Sequence, residues 1–151
     1  MKKSNVLVAI QFFLFAVLLL GLIVFMPVSS STVRVMGSIV AIVGIFLALF
    51  AIMQFGRIAN DTPNISPEPK TTIPLVQSGI YAHIRHPIYT GVICSALGVA
   101  IAHGHIVVLL IALLFIPFFT VKSMFEERLL HQQYDEYSTY VTRSGRFLPF
   151  L

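Results

Sequence analysis

The sequence predicts an all-α integral membrane protein with four transmembrane helices, the last two forming a helical hairpin, followed by a C-terminal helix at the membrane interface. Three observations carry that prediction. Hydrophobic residues make up 57% of the chain and charged ones 11%, long runs contain no charge at all, and the basic residues crowd on one side of those runs. A 151-residue chain this apolar, with a mean hydropathy of +0.90, has too little polar surface to fold in water, so the bilayer must act as its solvent. The formal charge of +4 does not mark a nucleic-acid partner, because the basic residues are dispersed beside apolar spans instead of lining one phosphate-binding face. The single cysteine, Cys94, lies inside an apolar run and excludes an intrachain disulfide.

The first two spans are the clearest. Val6 to Met26 and Val35 to Phe55 are each 21 residues without a charge, and at about 1.5 Å rise per residue either one crosses a hydrocarbon core roughly 30 Å thick. Lys2 and Lys3 ahead of the first run give it a signal-peptide look, but it is too long for such a segment and has no convincing small-residue cleavage site. Ile88 to Ala102 and Ile106 to Val121 are shorter. Only His103-Gly104-His105 separates them, which predicts a tight hairpin whose polar flanks complete each crossing. Pro117 removes a backbone hydrogen bond within the fourth span and should bend it or open its last turns.

Counting basic residues on alternate sides of four spans sets the orientation. One side receives Lys2, Lys3, Arg57, Lys70, Arg85, Lys122, Arg128, Arg143 and Arg146, and the other only Arg34. Positive charge stays in the cytosol, so both termini are expected there. All six acidic residues fall on the same side, and any active site is therefore expected to open to the cytosol.

Small residues predict how the spans pack. Gly37, Ala41, Gly44, Ala48 and Ala51 line one face of the second span, and Gly91, Ser95, Gly98 and Ala102 line one face of the third. In lipid, where apolar burial gives no advantage, such stripes let helix backbones approach closely. The chain reads as a single domain, with a two-helix N-terminal part, residues 1–56, and a second part, residues 57–151, carrying a loop, the hairpin and the C-terminal helix.

The loop from Gly56 to His86 begins as turn-rich chain through Asn60, Asp61, Pro63, Asn64, Pro67 and Pro69, then becomes apolar at Ile73-Pro74-Leu75-Val76. Beyond the fourth span, Lys122 to Val141 is amphipathic at helical spacing, so it should continue that helix out of the membrane and then lie along the surface. Tyr134, Tyr137 and Tyr140 read as an interfacial belt. Glu126 and Glu127 are about 100 degrees apart on a helix, so only one faces a site, and Glu127 with His131 reads as a solvated surface pair. The segment from Arg143 to Leu151 should fold back onto the protein or the interface.

Chemistry concentrates around Arg85-His86-Pro87-Ile88-Tyr89-Thr90-Gly91, where a polar loop turns into an apolar helix. One guanidinium, the imidazoles of His83 and His86 and the phenols of Tyr81 and Tyr89 are costly to hold at a lipid boundary unless partners or a polar ligand satisfy them. His103 and His105, on a turn with neither carboxylate nor thiolate beside them, make a poor metal site, and no metal is expected.

The order of Leu75-Val76, Gly79-Ile80-Tyr81, the Arg85 to Gly91 element, a hairpin, then Glu126-Glu127 followed by Leu130, Tyr137, Tyr140, Arg146 and Pro149 resembles the isoprenylcysteine carboxyl methyltransferase family and the related phospholipid methyltransferases. The likeness covers about half of the chain, from Pro67 to Pro149. It departs from the usual pattern at Ile80, where proline is common, and at Gln133-Tyr134-Asp135, which lacks a glycine. The resemblance implies methyl transfer from S-adenosylmethionine to a membrane-associated or hydrophobic acceptor, either an isoprenylcysteine-type carboxylate or a lipid amine. Carried over by position, it implies that Leu75, Val76, Tyr81, His86, Pro87, Ile88, Tyr89 and Glu126 hold the cofactor. It implies that Lys122 lies near the acceptor, with Arg85 as a second acceptor-positioning residue. Lysine at a position more familiar as arginine offers a point charge instead of a bidentate fork.

The cofactor's ammonium, sulfonium and adenine ring call for a carboxylate and aromatic surface together, which this rim supplies. The rival readings are a small membrane transporter and a non-catalytic membrane scaffold. Against the transporter, no span contains Asp, Glu, Lys or Arg, leaving only weak polar groups such as Gln11, Gln54, Thr90 and Ser95 for a pathway.

Overall fold

A computed structural model describes residues 3–69 and 73–149, and the chain is all-helical over them. Lys2 and Lys70, counted in the charge asymmetry above, lie outside the described residues. Six α-helices follow in order: α1 (Lys3–Val24), α2 (Ser31–Ala59), α3 (Pro87–His103), α4 (Ile106–Leu113), α5 (Phe115–Gln133) and α6 (Tyr137–Arg143), with a 3-10 turn at Gly79–Ala82. Among the described residues the only extended pairing is an isolated parallel bridge between Ile84 and Gly145.

Among the described residues, three helical paths are long and apolar enough to cross a membrane: α1, the 29-residue α2, and the 28-residue run Ile106–Gln133 formed by α4 and α5. With only 17 residues, α3 is about 25 Å long and falls short of that length by itself. The break between α4 and α5 sits at Leu114. Proline clashes with the carbonyl four residues earlier, which for Pro117 is Leu113, so the disturbance falls upstream in mid-path and leaves the last turns of α5 intact.

The two small-residue stripes close on each other along α2 and α3. A Cβ added to Gly37 would lie 2.3 Å from the Ala102 nitrogen, and one added to Gly98 would lie 2.3 Å from the Ala41 nitrogen. Gly44 and Gly91 are equally confined, against the Ser95 and Ala48 nitrogens at 2.5 and 2.6 Å. With side chains absent, the backbones meet and dispersion contacts are made along the whole seam. A second core joins the other helices through Leu14 and Leu18 of α1, Ala96 and Ala100 of α3, Val108 and Ala112 of α4, and Phe115 and Phe119 of α5. Large apolar side chains such as Phe13, Ile23, Ile42 and Phe46 point outward and are exposed, as a lipid-facing surface requires.

The far ends of the helices are tied by the hairpin. Gly104 takes a left-handed conformation as the C-cap of α3 (φ 82°), and its amide donates to the Ala100 carbonyl at 2.9 Å. His105 caps α4 through the Val107 amide, and His103 Nε2 lies 3.0 Å from the Phe25 carbonyl. Both histidines are thus engaged in holding the turn.

At the opposite end, residues 145–147 fold back onto the segment ahead of α3. The Arg85 amide donates to the Gly145 carbonyl at 2.8 Å, Gly145 donates to the His83 carbonyl at 2.9 Å, and the His86 amide donates to the Arg146 carbonyl at 3.1 Å. Thr90 Oγ1 adds a bond to the Phe147 carbonyl at 2.8 Å.

The helical continuation past Lys122 runs to Gln133, turns at Tyr134–Glu136 and resumes as α6. Its tyrosines depart from the expected belt: Tyr137 and Tyr140 are buried, at 0% and 2% exposure. The inward face of α5 is polar toward its end, carrying Lys122, Ser123 and Glu127. An apolar surrounding reverses the usual sorting, so groups that need partners turn inward while apolar residues meet the lipid.

Candidate active site

At the end of the bundle where α1 begins, α2 ends and α3 begins, a cavity of about 430 Å³ opens beneath the loop joining α2 to α3. That volume falls within the range of small-molecule sites. Leu75, Val76, Tyr81, Arg85, His86, Pro87, Ile88, Tyr89, Lys122 and Glu126 all line it. Residues more than thirty positions apart are therefore brought to one space by the hairpin, which returns α5 alongside the start of α3.

Local sequence explains the aim of the first group. Pro87 opens α3, where its missing amide costs no helix bond, and His86 immediately before it takes the non-helical N-cap conformation. The imidazole is thereby directed across α3 toward α5. It stacks on Tyr89, with ring centroids 5.3 Å apart and planes within 2°. Its Nε2 lies 3.2 Å from Glu127 Oε1 and its Nδ1 lies 3.7 Å from Glu126 Oε2. The Tyr89 hydroxyl donates to the same Glu126 oxygen at 2.8 Å.

The two glutamates have separate tasks. Glu126 is partly exposed to the cavity and keeps a carboxylate on its wall. Glu127 is buried and serves as the hub of an ion cluster, which corrects its reading as a solvated partner of His131. It accepts from Arg85 Nε at 3.0 Å, from Arg146 Nε at 3.2 Å and from Arg146 Nη2 at 2.7 Å. His131 instead packs edge-on against the Tyr137 ring, with centroids 4.6 Å apart. Bonding to Glu127 raises the Arg146 pKa above its ordinary value.

Arg85 faces the cavity wall, yet its guanidinium is committed to protein groups: Glu127, the Val141 carbonyl at 3.3 Å, and the carbonyl of Ser144. Those partners tie the loop to the returning tail, while Arg85 also lines the cavity. Lys122 is 1% exposed. Its ammonium donates to Gln11 Oε1 and, at 2.9 Å, to the Ile65 carbonyl, and it sits 5.2 Å from the centre of the Tyr89 ring. It is held deep in the cavity wall and does not snorkel to the surface.

The remaining wall comes from tyrosines on the loop and the C-terminal part. The Tyr81 hydroxyl donates to the Ala51 carbonyl at 3.2 Å, and Tyr140 donates to the Tyr81 carbonyl at 2.5 Å. The Tyr134 hydroxyl donates to the Ile73 carbonyl at 2.6 Å, tying the apolar part of the loop to the turn after α5. Burial raises the Tyr81 and Tyr137 pKa values well beyond the ordinary phenol range and pushes Tyr140 up to about 12.

Sequence reasoning placed Glu127, Arg146 and Tyr137 on this side of the membrane but missed the ion cluster of the first two and the burial of the third. Gln11 was the one available signal for α1, since an amide in mid-run of an otherwise apolar span needs a buried partner.

The fold and cavity define a helical integral membrane protein with a ligand-sized site where its helices meet a long loop. The family model for phospholipid methyltransferases matches residues 32–137, and the chain belongs to that family. Membership implies methyl transfer to a lipid-like substrate. No curated protein matches the chain significantly.

Proposed function

We propose that this protein transfers the methyl group of S-adenosylmethionine to a lipidic acceptor, with the cavity between the loop, α3 and α5 as the reaction chamber. One observation carries the reading: the loop before α3 and the inner face of α5 enclose a single space containing a carboxylate, an ammonium group and several aromatic rings.

The donor set fits the cofactor. Glu126, oriented by Tyr89, places negative charge where a ligand's ammonium or sulfonium would be stabilised, while Tyr81, Tyr89 and Phe119 offer ring surface to a nucleoside. Leu75, Val76, Pro87 and Ile88 fill the apolar gaps between them. When bound, S-adenosylmethionine supplies an electrophilic methyl group. The chain's part is to fix two reactants at attack distance and to keep water out.

The membrane-side wall suits the second reactant. Ile52, Phe55, Val92 and Phe119 give the cavity apolar lining, and Lys122 lines the same space. A lipid headgroup enters past these residues without being drawn into bulk water. Where the acceptor is a carboxylate, charge on nucleophile and sulfonium cancels at the transition state, which so dry a wall favours.

We place this end of the molecule in the cytosol, together with both termini, on the nine-to-one distribution of basic residues. That arrangement makes α3 a crossing as well, the third of four in chain order, with its polar flanks extending it, and leaves α6 at the interface. Residues 1–151 then act as one domain, whose N-terminal helices supply the Gln11 and Phe55 walls.

The test is methyl transfer from radiolabelled S-adenosylmethionine into membrane lipid extract by the purified protein, followed by identification of the labelled molecule. Label in a lipid amine or in an isoprenylcysteine carboxylate fixes the acceptor. Absence of both cofactor binding and label transfer overturns the reading.

A further inference from the structure

Among the described residues, two buried side-chain polar atoms have no hydrogen-bond partner, His103 Nδ1 and the Tyr137 hydroxyl. The histidine belongs to the hairpin and is already engaged through its other nitrogen. Tyr137 lines the cavity.

Comparison with the chain's other tyrosines isolates it. Tyr81, Tyr89, Tyr134 and Tyr140 each donate to a protein oxygen, three to backbone carbonyls and Tyr89 to Glu126. Tyr137 is 0% exposed and its ring is held edge-on by His131 and Tyr140, at centroid distances of 4.6 and 5.8 Å. A phenol fixed in this way, with nothing to receive its proton, destabilises the ligand-free protein. Burial, with Glu127 and Glu126 adding to it, raises its pKa and keeps it a donor.

We propose that Tyr137 is a cofactor-binding residue whose hydroxyl donates to a neutral acceptor atom on the nucleoside part of the ligand, a ring nitrogen or a ribose oxygen. The inference rests on the S-adenosylmethionine reading above. A neutral acceptor is favoured because the carboxylates of Glu126 and Glu127 act on this hydroxyl and oppose a further anion beside it. Tyr81, Leu130, Tyr134 and Tyr140 line the same cavity, and their rings and aliphatic surface suit a planar base.

The experiment compares the full chain, its Tyr137→Phe variant and its Tyr134→Phe variant in detergent. Binding of S-adenosylhomocysteine and of 5′-methylthioadenosine, which lacks the amino-acid end, is measured by calorimetry, alongside the thermal midpoint without ligand. Tyr137→Phe should weaken both ligands about 5- to 10-fold, the loss of one hydrogen bond. It should also raise the ligand-free midpoint by about 2–4 °C, because an unmet polar group is gone. Tyr134→Phe should lower that midpoint, since its hydroxyl has a protein partner. Unchanged affinity for both ligands, a loss confined to S-adenosylhomocysteine, or a fall in the Tyr137→Phe midpoint would each overturn the assignment. If the unaltered protein binds neither ligand, the cofactor reading falls and this inference with it. If it binds both and Tyr137→Phe binds them equally well, only this inference falls.

Discussion

Glu127 Oε1 accepts a hydrogen bond from Arg85 Nε at 3.0 Å, and both side chains are about nine-tenths buried where α5 passes the segment ahead of α3. The pair joins a residue of the loop to one of the last long helix, and Arg146 brings the tail to the same carboxylate. Neighbouring Glu126 shares the helix but lines the cavity, so adjacent carboxylates meet different surroundings.

Replacing Glu127 with Ala strands the buried Arg85 guanidinium and takes the carboxylate from the partly exposed Arg146. The variant is expected to lose about 3–5 kcal/mol of stability, the usual cost of breaking a buried ion pair from one side. Detergent-based thermal or denaturant unfolding measures it. Glu126→Ala should unfold close to the unaltered protein while binding S-adenosylmethionine more weakly, and equal stability loss in the two variants would refute the division.

Tyr89→Phe removes the hydroxyl that donates to Glu126 at 2.8 Å while keeping the ring that stacks on His86. Cofactor affinity is expected to fall about 5- to 10-fold, with the fold retained. Titration calorimetry on both proteins decides the matter, and indistinguishable affinities would show that Glu126 needs no such orientation.

The seam between α2 and α3 admits no side chain at Gly37 or Gly98. Gly98→Ala should force the backbones apart and cost on the order of 1–3 kcal/mol, in keeping with other overpacked contacts. Gly56→Ala is the control, because its added Cβ would meet only the Asp61 carbonyl at 3.8 Å. Melting temperatures that fall equally in the two variants would contradict the close approach.

Alkaline pH should unfold the protein through its buried phenols. Burial pushes Tyr140 up to about 12, whereas an unfolded tyrosine titrates near 10. The folded state therefore keeps the proton after the unfolded state has lost it. The stabilisation is fully present below about pH 10 and disappears as pH rises toward 12, at about 1.4 kcal/mol per pH unit for each such group. Thermal midpoints recorded across this interval should fall less steeply for Tyr140→Phe, and parallel curves would exclude the contribution.

Much of this architecture is written in the order of residue types. Charge-free runs define α1 and α2, His103-Gly104-His105 marks the hairpin, and the two small-residue stripes pair where α2 meets α3. The residues around Arg85 to Gly91 and the Glu126 position converge on one cavity. Other features depended on orientation, which periodicity alone does not reveal when the surroundings are apolar. Glu127 reads as solvated by helical spacing from His131, yet three basic side chains from distant segments surround it. Tyr137 and Tyr140 have the composition of an interfacial belt, but the turn after Gln133 rotates α6 so that both face inward. Arg85 is chemically suited to an anionic acceptor, and only the position of residues 141–146 shows that its Nη1 donates to the backbone of the tail.

The strand-like pairing of Ile84 with Gly145 imposes an order on biogenesis. The backbone at Arg85 and His86 finds its hydrogen-bond partners only once residues 145 and 146 have been synthesised, after the whole of α3. The first turn of α3 is therefore fastened by a segment made after every helix that α3 packs against.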